Sequence, residues 1–178
     1  TQGVFAVRGG VASKLDIPES KVRVIKEYMG GGFGSKLEAG KYTVMAALIA
    51  RNIGRPVSIQ LSRREMNLAV GNRPDSHQDL KVGVKKDGTL MAMQHNSYGA
   101  VGAYPAGAGC SWPMRTIYKC PNIKTTDYNV LINAGRARPF RAPGHVQGTF
   151  GLDSIIDDAA ESVGMDTLEL RMKNYAAK

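Results

Sequence analysis

The stretch MGGGFGSK, Met29 to Lys36, puts four glycines, one aromatic ring and one cation where a chain could do chemistry. Glycine permits backbone angles closed to other residues and lets main-chain amides come close to a partner, so such a run marks a tight turn, a bound ligand or both. A linker is the plainer alternative. The run is short, however, and carries Phe33 where a solvated linker favours Ser or Asn. Two phosphate loops can be tested letter by letter. A dinucleotide fingerprint needs a third glycine where Ser35 stands, and a Walker loop needs Gly-Lys followed by Ser or Thr, whereas here Ser35 and Leu37 flank Lys36. Both tests fail. A cradle of amides at a helix N-terminus still attracts an anion or an electronegative oxygen, so a ligand loop is the favoured reading.

Other chemistry-bearing residues are sparse. His77, His95 and His145 are far apart and none has a helix-spaced partner, so no histidine metal site is expected. Cys110 and Cys120 are the only cysteines, without the close pairs of a zinc site or the density of a disulfide scaffold. Two buried free thiols in a reducing compartment are the expectation, a single disulfide the alternative. The net charge of +9 invites a polyanion, but the basic residues fall in small groups (Arg63 and Arg64; Lys85 and Lys86; Arg136, Arg138 and Arg141) and Asp153 to Glu161 is acidic. With 7% aromatic residues there are few rings for base stacking, and nucleic acid becomes the third reading.

The elements that must position these residues follow from patterning. At 178 residues and 43% hydrophobic content the chain is sized for one globular domain, residues 1–178. Its longest apolar run, Val44 to Ala50, is far too short for a bilayer, so no membrane is expected. The start at Thr1 reads as a cut in a longer chain. A first helix carries Val4, Phe5, Val7 and Val11. KVRVIKEY then reads as a strand entering the glycine loop, and a helix from about Leu37 to Ile53 leaves it, ended by Gly54 and Pro56. Within that helix VMAALIA is apolar nearly all round, which predicts burial on several sides. PVSIQLS reads as a strand and RREMNLAVG as a short helix or turn. Leu80, Val82 and Val84 alternate with polar positions before an Asp87-Gly88 turn, a hairpin signal. YNVLINAG is a further strand. Leu152, Ile155, Ile156, Ala159, Ala160 and Val163 give a helix ending at Gly164, and Asp166 with Glu169 caps a last helix, TLELRMKN. Hairpins mixed with helices indicate an α+β fold.

Three landmarks stand in order: Thr1-Gln2, GGGFGSK at Gly30 to Lys36, and PFRAPG at Pro139 to Gly144. With IPESKVRVI, RPVSIQLSRREM, KKDGTL and LELRMKN, the chain resembles the molybdenum-binding large subunit of the xanthine dehydrogenase and aldehyde oxidase family over essentially its whole length. The resemblance implies a molybdopterin cofactor, in simple or dinucleotide form. It also implies hydroxylation of a carbon next to nitrogen or oxygen with water as the oxygen source, and FAD and [2Fe-2S] clusters on other domains or subunits. The partners it implies are the remaining molybdenum-binding region, those redox modules and a small-molecule substrate. The compartment the resemblance implies is the cytoplasm, or the periplasm as in some bacterial members.

Carried over residue by residue, Gln2 matches a glutamine whose amide approaches a molybdenum oxo group. Gly31, Gly32, Phe33 and Gly34 match the loop that brings amides to the metal and pterin, and Arg141 matches an arginine beside the active centre. Purine-oxidising members carry a glutamate where this chain has Leu37 and a stacking phenylalanine where it has Pro143. The two are substrate-pocket candidates that argue for an aldehyde or N-heterocycle over xanthine. Arg136 and Arg138 are read as surface charges, with contact to a phosphate as the alternative. The family's catalytic glutamate lies in a region this chain does not contain, and Asp157 and Asp158, on the polar side of a helix, are not substitutes for it. The expectation is therefore half a site, inactive alone. A non-catalytic assembly or binding domain of the same fold is the alternative.

Overall fold

The computed structural model describes residues 1–176. The chain divides into two compact units, Thr1–Arg73 with Arg138–Arg141, and Pro74–Ala137 with Ala142 onward.

The first unit is helical. Helix α1, Val4–Leu15, presents Val7, Val11 and Leu15 to a small core closed by Val22, Val24, Ala39, Ala47 and Leu48. Helix α2 spans Lys41–Ile53, four residues shorter at its start than the patterning predicts; Gly40 is its N-cap and Gly54, at φ 64°, its left-handed C-cap. None of its residues is buried. The expectation for VMAALIA is thus corrected: Ala47 and Leu48 pack toward α1, Ile49 is exposed, and Met45 is exposed at a cleft of about 540 Å³ that Ala6, Gly10 and Val44 also line. Helix α3, Arg63–Ala69, is fixed by a full capping box between Ser62 and Glu65.

Two expected strands are absent among the described residues. In KVRVIKEY, Lys21 closes a 3-10 turn, Glu19–Lys21, and the residues after it leave Val22 and Val24 half-buried and Arg23 and Ile25 exposed; PVSIQLS keeps Val57 and Leu61 half-buried, but neither segment is part of a β-ladder. The alternation is therefore present without the ladder bonds that define a strand.

The second unit carries a three-stranded mixed sheet. Strand β1 (Ser76–Val84) pairs antiparallel with β2 (Leu90–Gly102), and β2 pairs parallel with β3 (Ile123–Leu131). The hairpin turns at Gly88, φ 80°, with the Asp87 carboxylate accepting from Thr89 N at 3.0 Å. A parallel pair needs a crossover, and residues 103–122 supply it, including a 3-10 turn at Trp112–Arg115. One sheet face, with Leu80, Val82 and Val84, packs on helix α4 (His145–Val163) around Leu90, Met93, Met114, Leu152 and Ile156. Helix α5, Thr167–Asn174, starts where the Asp166 carboxylate accepts from Leu168 N and Glu169 N. Helices and a mixed sheet together give the α+β fold. The buried Asn174 ties α5 to the hairpin: its Oδ1 accepts from Leu90 N and its Nδ2 donates to Gly88 O. Both cysteines are free thiols, Cys110 buried and Cys120 half-buried.

His95 stands in β2 opposite Leu80, fully buried, with no hydrogen-bond partner for either ring nitrogen among the described residues. Burial holds its pKa below the ordinary 6.5, opposed in part by the Asp127 charge. Below that ordinary value the unfolded chain takes up a proton that the folded chain resists, so stability must fall as pH drops from about 6.5. Urea denaturation followed between about pH 7 and pH 5 should show that loss, and His95→Leu should flatten the slope.

Candidate functional site

Thr1 and Gln2 lie against the exit of the glycine loop. Gln2 N donates to Lys36 O at 2.8 Å, and Thr1 Oγ1 donates to the same oxygen at 2.9 Å. The Gln2 side chain then turns inward, where Oε1 accepts from Gly34 N at 2.8 Å and from Lys36 N at 3.2 Å. Gly32 gives it room: a Cβ there would sit 2.5 Å from Gln2 Oε1. The turn closes through Gly32 O, which accepts from Ser35 N at 2.9 Å and Ser35 Oγ at 2.8 Å.

Phe33 adopts φ 50°, a left-handed conformation that costs an ordinary residue about 1–2 kcal/mol. The strain sits between Gly31 and Gly34, at φ 118° and 105°. The Phe33 ring remains 57% exposed and meets Phe140, centroids 6.5 Å apart and planes tilted 42°. Gly34 faces Pro139 O so closely that a Cβ would approach it to 2.8 Å. The segment Pro139–Arg141 therefore lies along the loop. Arg141 is exposed, and its guanidinium has no acceptor among the described residues.

The structure thus brings Gln2, Gly31, Gly32, Phe33, Gly34 and Arg141 into the first unit, where Leu37 also lies, 40% exposed. Pro143 belongs to the second unit and is exposed. Arg138 is not the surface charge expected: its side chain is only 16% exposed and its Nη1 meets Glu38 Oε2 at 3.2 Å. Arg73, Glu38 and Phe140 were not singled out by sequence. Their contacts join positions 68 to 107 residues apart, and no local spacing encodes them. Asp157 is paired with Arg171 at 2.6 Å, which holds its carboxyl below the usual range.

The loop leaves several donors uncommitted. The N–H groups of Gly31, Gly32 and Phe33 have no protein acceptor among the described residues, and neither does the Gln2 Nε2 group, whose oxygen is committed to the loop. Glu38, the carboxylate next to the loop exit, is committed to Arg138. A set of neutral amide donors with one guanidinium fits an anionic, oxygen-rich group and offers no cation site; no cluster of His, Cys, Asp and Glu able to hold a metal ion occurs among the described residues.

Known proteins resemble the chain over nearly its whole length. A family model described as the molybdopterin cofactor-binding domain matches residues 1–175. The xanthine dehydrogenase molybdenum-binding subunit of Escherichia coli O157:H7 is 37% identical over 98% of this chain and 24% of its own length. The aldehyde oxidoreductase molybdenum-binding subunit of Escherichia coli K12 is 32% identical over 94% of this chain and 23% of its own. The solved structure of quinoline 2-oxidoreductase from Pseudomonas putida 86 matches with a TM-score of 0.90 at 27% identity, over 99% of this chain and 24% of that one. The chain spans about a quarter of the length of these two curated relatives.

Gly32→Ala should expel the Gln2 side chain from the loop. The Gly34 amide resonance should then shift as it does in Gln2→Ala, and the double variant should cost less than the sum of the two in denaturant titrations, because both lose the same hydrogen bonds, each worth about 1 kcal/mol.

Proposed function

The chain belongs to the molybdopterin cofactor-binding domain family, and from that membership we propose that it forms part of the cofactor site in the large subunit of a molybdenum hydroxylase. The observation that carries the proposal is the divided Gln2 amide: Oε1 is held by Gly34 N and Lys36 N, so the Nε2 donor is presented to an oxygen of a bound group. When bound, the molybdenum cofactor supplies a centre that takes up two electrons as a substrate carbon gains oxygen from water.

Each residue then has a task. Gln2 Nε2 donates to a cofactor oxygen without adding charge, which a carboxylate at this position could not do. The N–H groups of Gly31, Gly32 and Phe33 approach the same group, since the absent side chains leave the backbone bare. The Phe33 ring, held beside Phe140, shields the site from bulk water. Arg141 offers a planar fork of donors to a cofactor or substrate oxygen. Residues 1–178 act as one functional domain, with the general base, the rest of the cradle, FAD and [2Fe-2S] clusters on other parts of the enzyme, and they are inactive without them.

An aldehyde or N-heterocycle is the proposed substrate class. At Leu37 the chain has no carboxylate to hydrogen-bond a purine, and at Pro143 no aromatic face to stack on one. In the complete subunit, Leu37→Glu should therefore shift the ratio of kcat/KM values toward hydroxypurines; an unchanged ratio would remove Leu37 from the pocket.

The direct test is molybdenum and pterin content of the complete subunit matured in its host, where absence of both would overturn the proposal in favour of an assembly domain. Gln2→Glu sharpens it. The carboxylate can still accept from both loop amides, so the unfolding midpoint should hold, while loss of the donor and the added charge should lower molybdenum content by roughly tenfold.

A further inference from the structure

Four residues, Arg138–Arg141, join the first unit, and two consecutive residues hold both their ends. Asn72 O accepts from Arg138 N at 2.9 Å. Arg73 Nη2 donates to Arg141 O at 2.6 Å, and the same guanidinium lies over the Phe140 ring, 5.2 Å from its centroid. Glu38, at the loop exit, adds a third anchor by pairing with Arg138. Arg73 thus grips the strap at the carbonyl of Arg141 and at the ring that meets Phe33.

We propose that Arg73 is the positioning residue for Arg141: it fixes the backbone from which the Arg141 guanidinium projects and seats Phe140 against Phe33. The geometric half stands on contacts within the first unit. The functional half, that this placement is needed for the cofactor site, rests on the function proposed above. Arginine suits the task because one planar group can hydrogen-bond a carbonyl through its edge and cover an aromatic ring with its face, whereas a lysine ammonium is a point charge that cannot do both in this geometry. Phe140 and Phe33 are both at least half exposed, so packing alone does not immobilise them. Arg138 and its anchors hold only the other end of the strap. Arg73 itself touches neither substrate nor cofactor in this scheme.

The test has two readouts. In the isotopically labelled chain, Arg73→Met should move the Arg141 carbonyl ¹³C resonance and abolish the Phe33–Phe140 ring NOE, with the methyl resonances of Val7, Val11 and Leu15 unmoved, showing that the unit is still folded. Arg73→Lys should recover these signals only in part. Retention of both signals in Arg73→Met would overturn the proposal, and should that variant fail to fold, full recovery in Arg73→Lys would do the same. In the complete subunit, Arg73→Met should lower molybdenum content on the order of tenfold, the size that outer-shell supports carry at metal sites. Parental molybdenum content in that variant would overturn the functional half. A parent subunit devoid of molybdenum, with the NMR changes present, would instead overturn the cofactor-site reading and leave the hold of Arg73 on Arg141 standing.

Discussion

The hydrogen bonds from Gly34 N and Lys36 N to Gln2 Oε1 are the constraint on which the site depends. They join two segments more than thirty positions apart and, by fixing the amide oxygen, decide which end of the side chain remains for other work. An amide group has one acceptor oxygen and one two-proton donor nitrogen at opposite corners, so clamping the first orients the second. The same clamp explains Gly32, where even a methyl group would displace the glutamine. It also accounts for a left-handed Phe33: a loop pinned at Gly34 and Lys36, with Gly32 O closing on Ser35, must reverse sharply between Gly31 and Gly34.

Strain in so short a loop has to be supported from outside, and the strap Arg138–Arg141 is placed to do that. Pro139 O lies against Gly34, and Phe140 meets the strained Phe33. The loop and the strap are each poorly buried, and they are held by directional contacts in place of a deep apolar core. The first unit has only a small core, built on Val7, Val11 and Leu15. Its order around the site therefore relies on hydrogen bonds and ion pairs more than on the hydrophobic packing that organises the second unit around Leu152 and Ile156.

What the sequence disclosed divides along the same line. Helices α1, α4 and α5, the end of α2 and the hairpin were legible because their signals are local: apolar spacing, Gly54 and Gly164 as left-handed stops, and the Asp166 cap. The loop and Gln2 were legible through an ordered resemblance. KVRVIKEY and PVSIQLS misled because alternation records which face of an extended chain is apolar and is silent about whether a neighbour supplies the ladder. Arg138 misled for a related reason, since its partner Glu38 stands 100 positions away. Arg73 carried no signal at all: a basic residue before a proline in a polar stretch looks like solvent, and only the fold brings it to Arg141 O and Phe140.

The distribution of donors and acceptors also bears on the chemistry. Among the donors left uncommitted around the loop are the N–H groups of Gly31, Gly32 and Phe33, Gln2 Nε2 and the Arg141 guanidinium, while Glu38 is paired with Arg138. In the second unit the Asp127 carboxylate accepts from Cys110 N, Ser111 N and Ser111 Oγ, and Asp157 is held by Arg171. The hydrogen bond from Arg171 lowers the proton affinity of the Asp157 carboxylate, which weakens it as a base. In the function proposed above, these donors would receive a negative oxygen and orient it. Proton removal needs the opposite provision, a free carboxylate in a water-poor setting, and in the proposed enzyme that task falls to a different part of the protein.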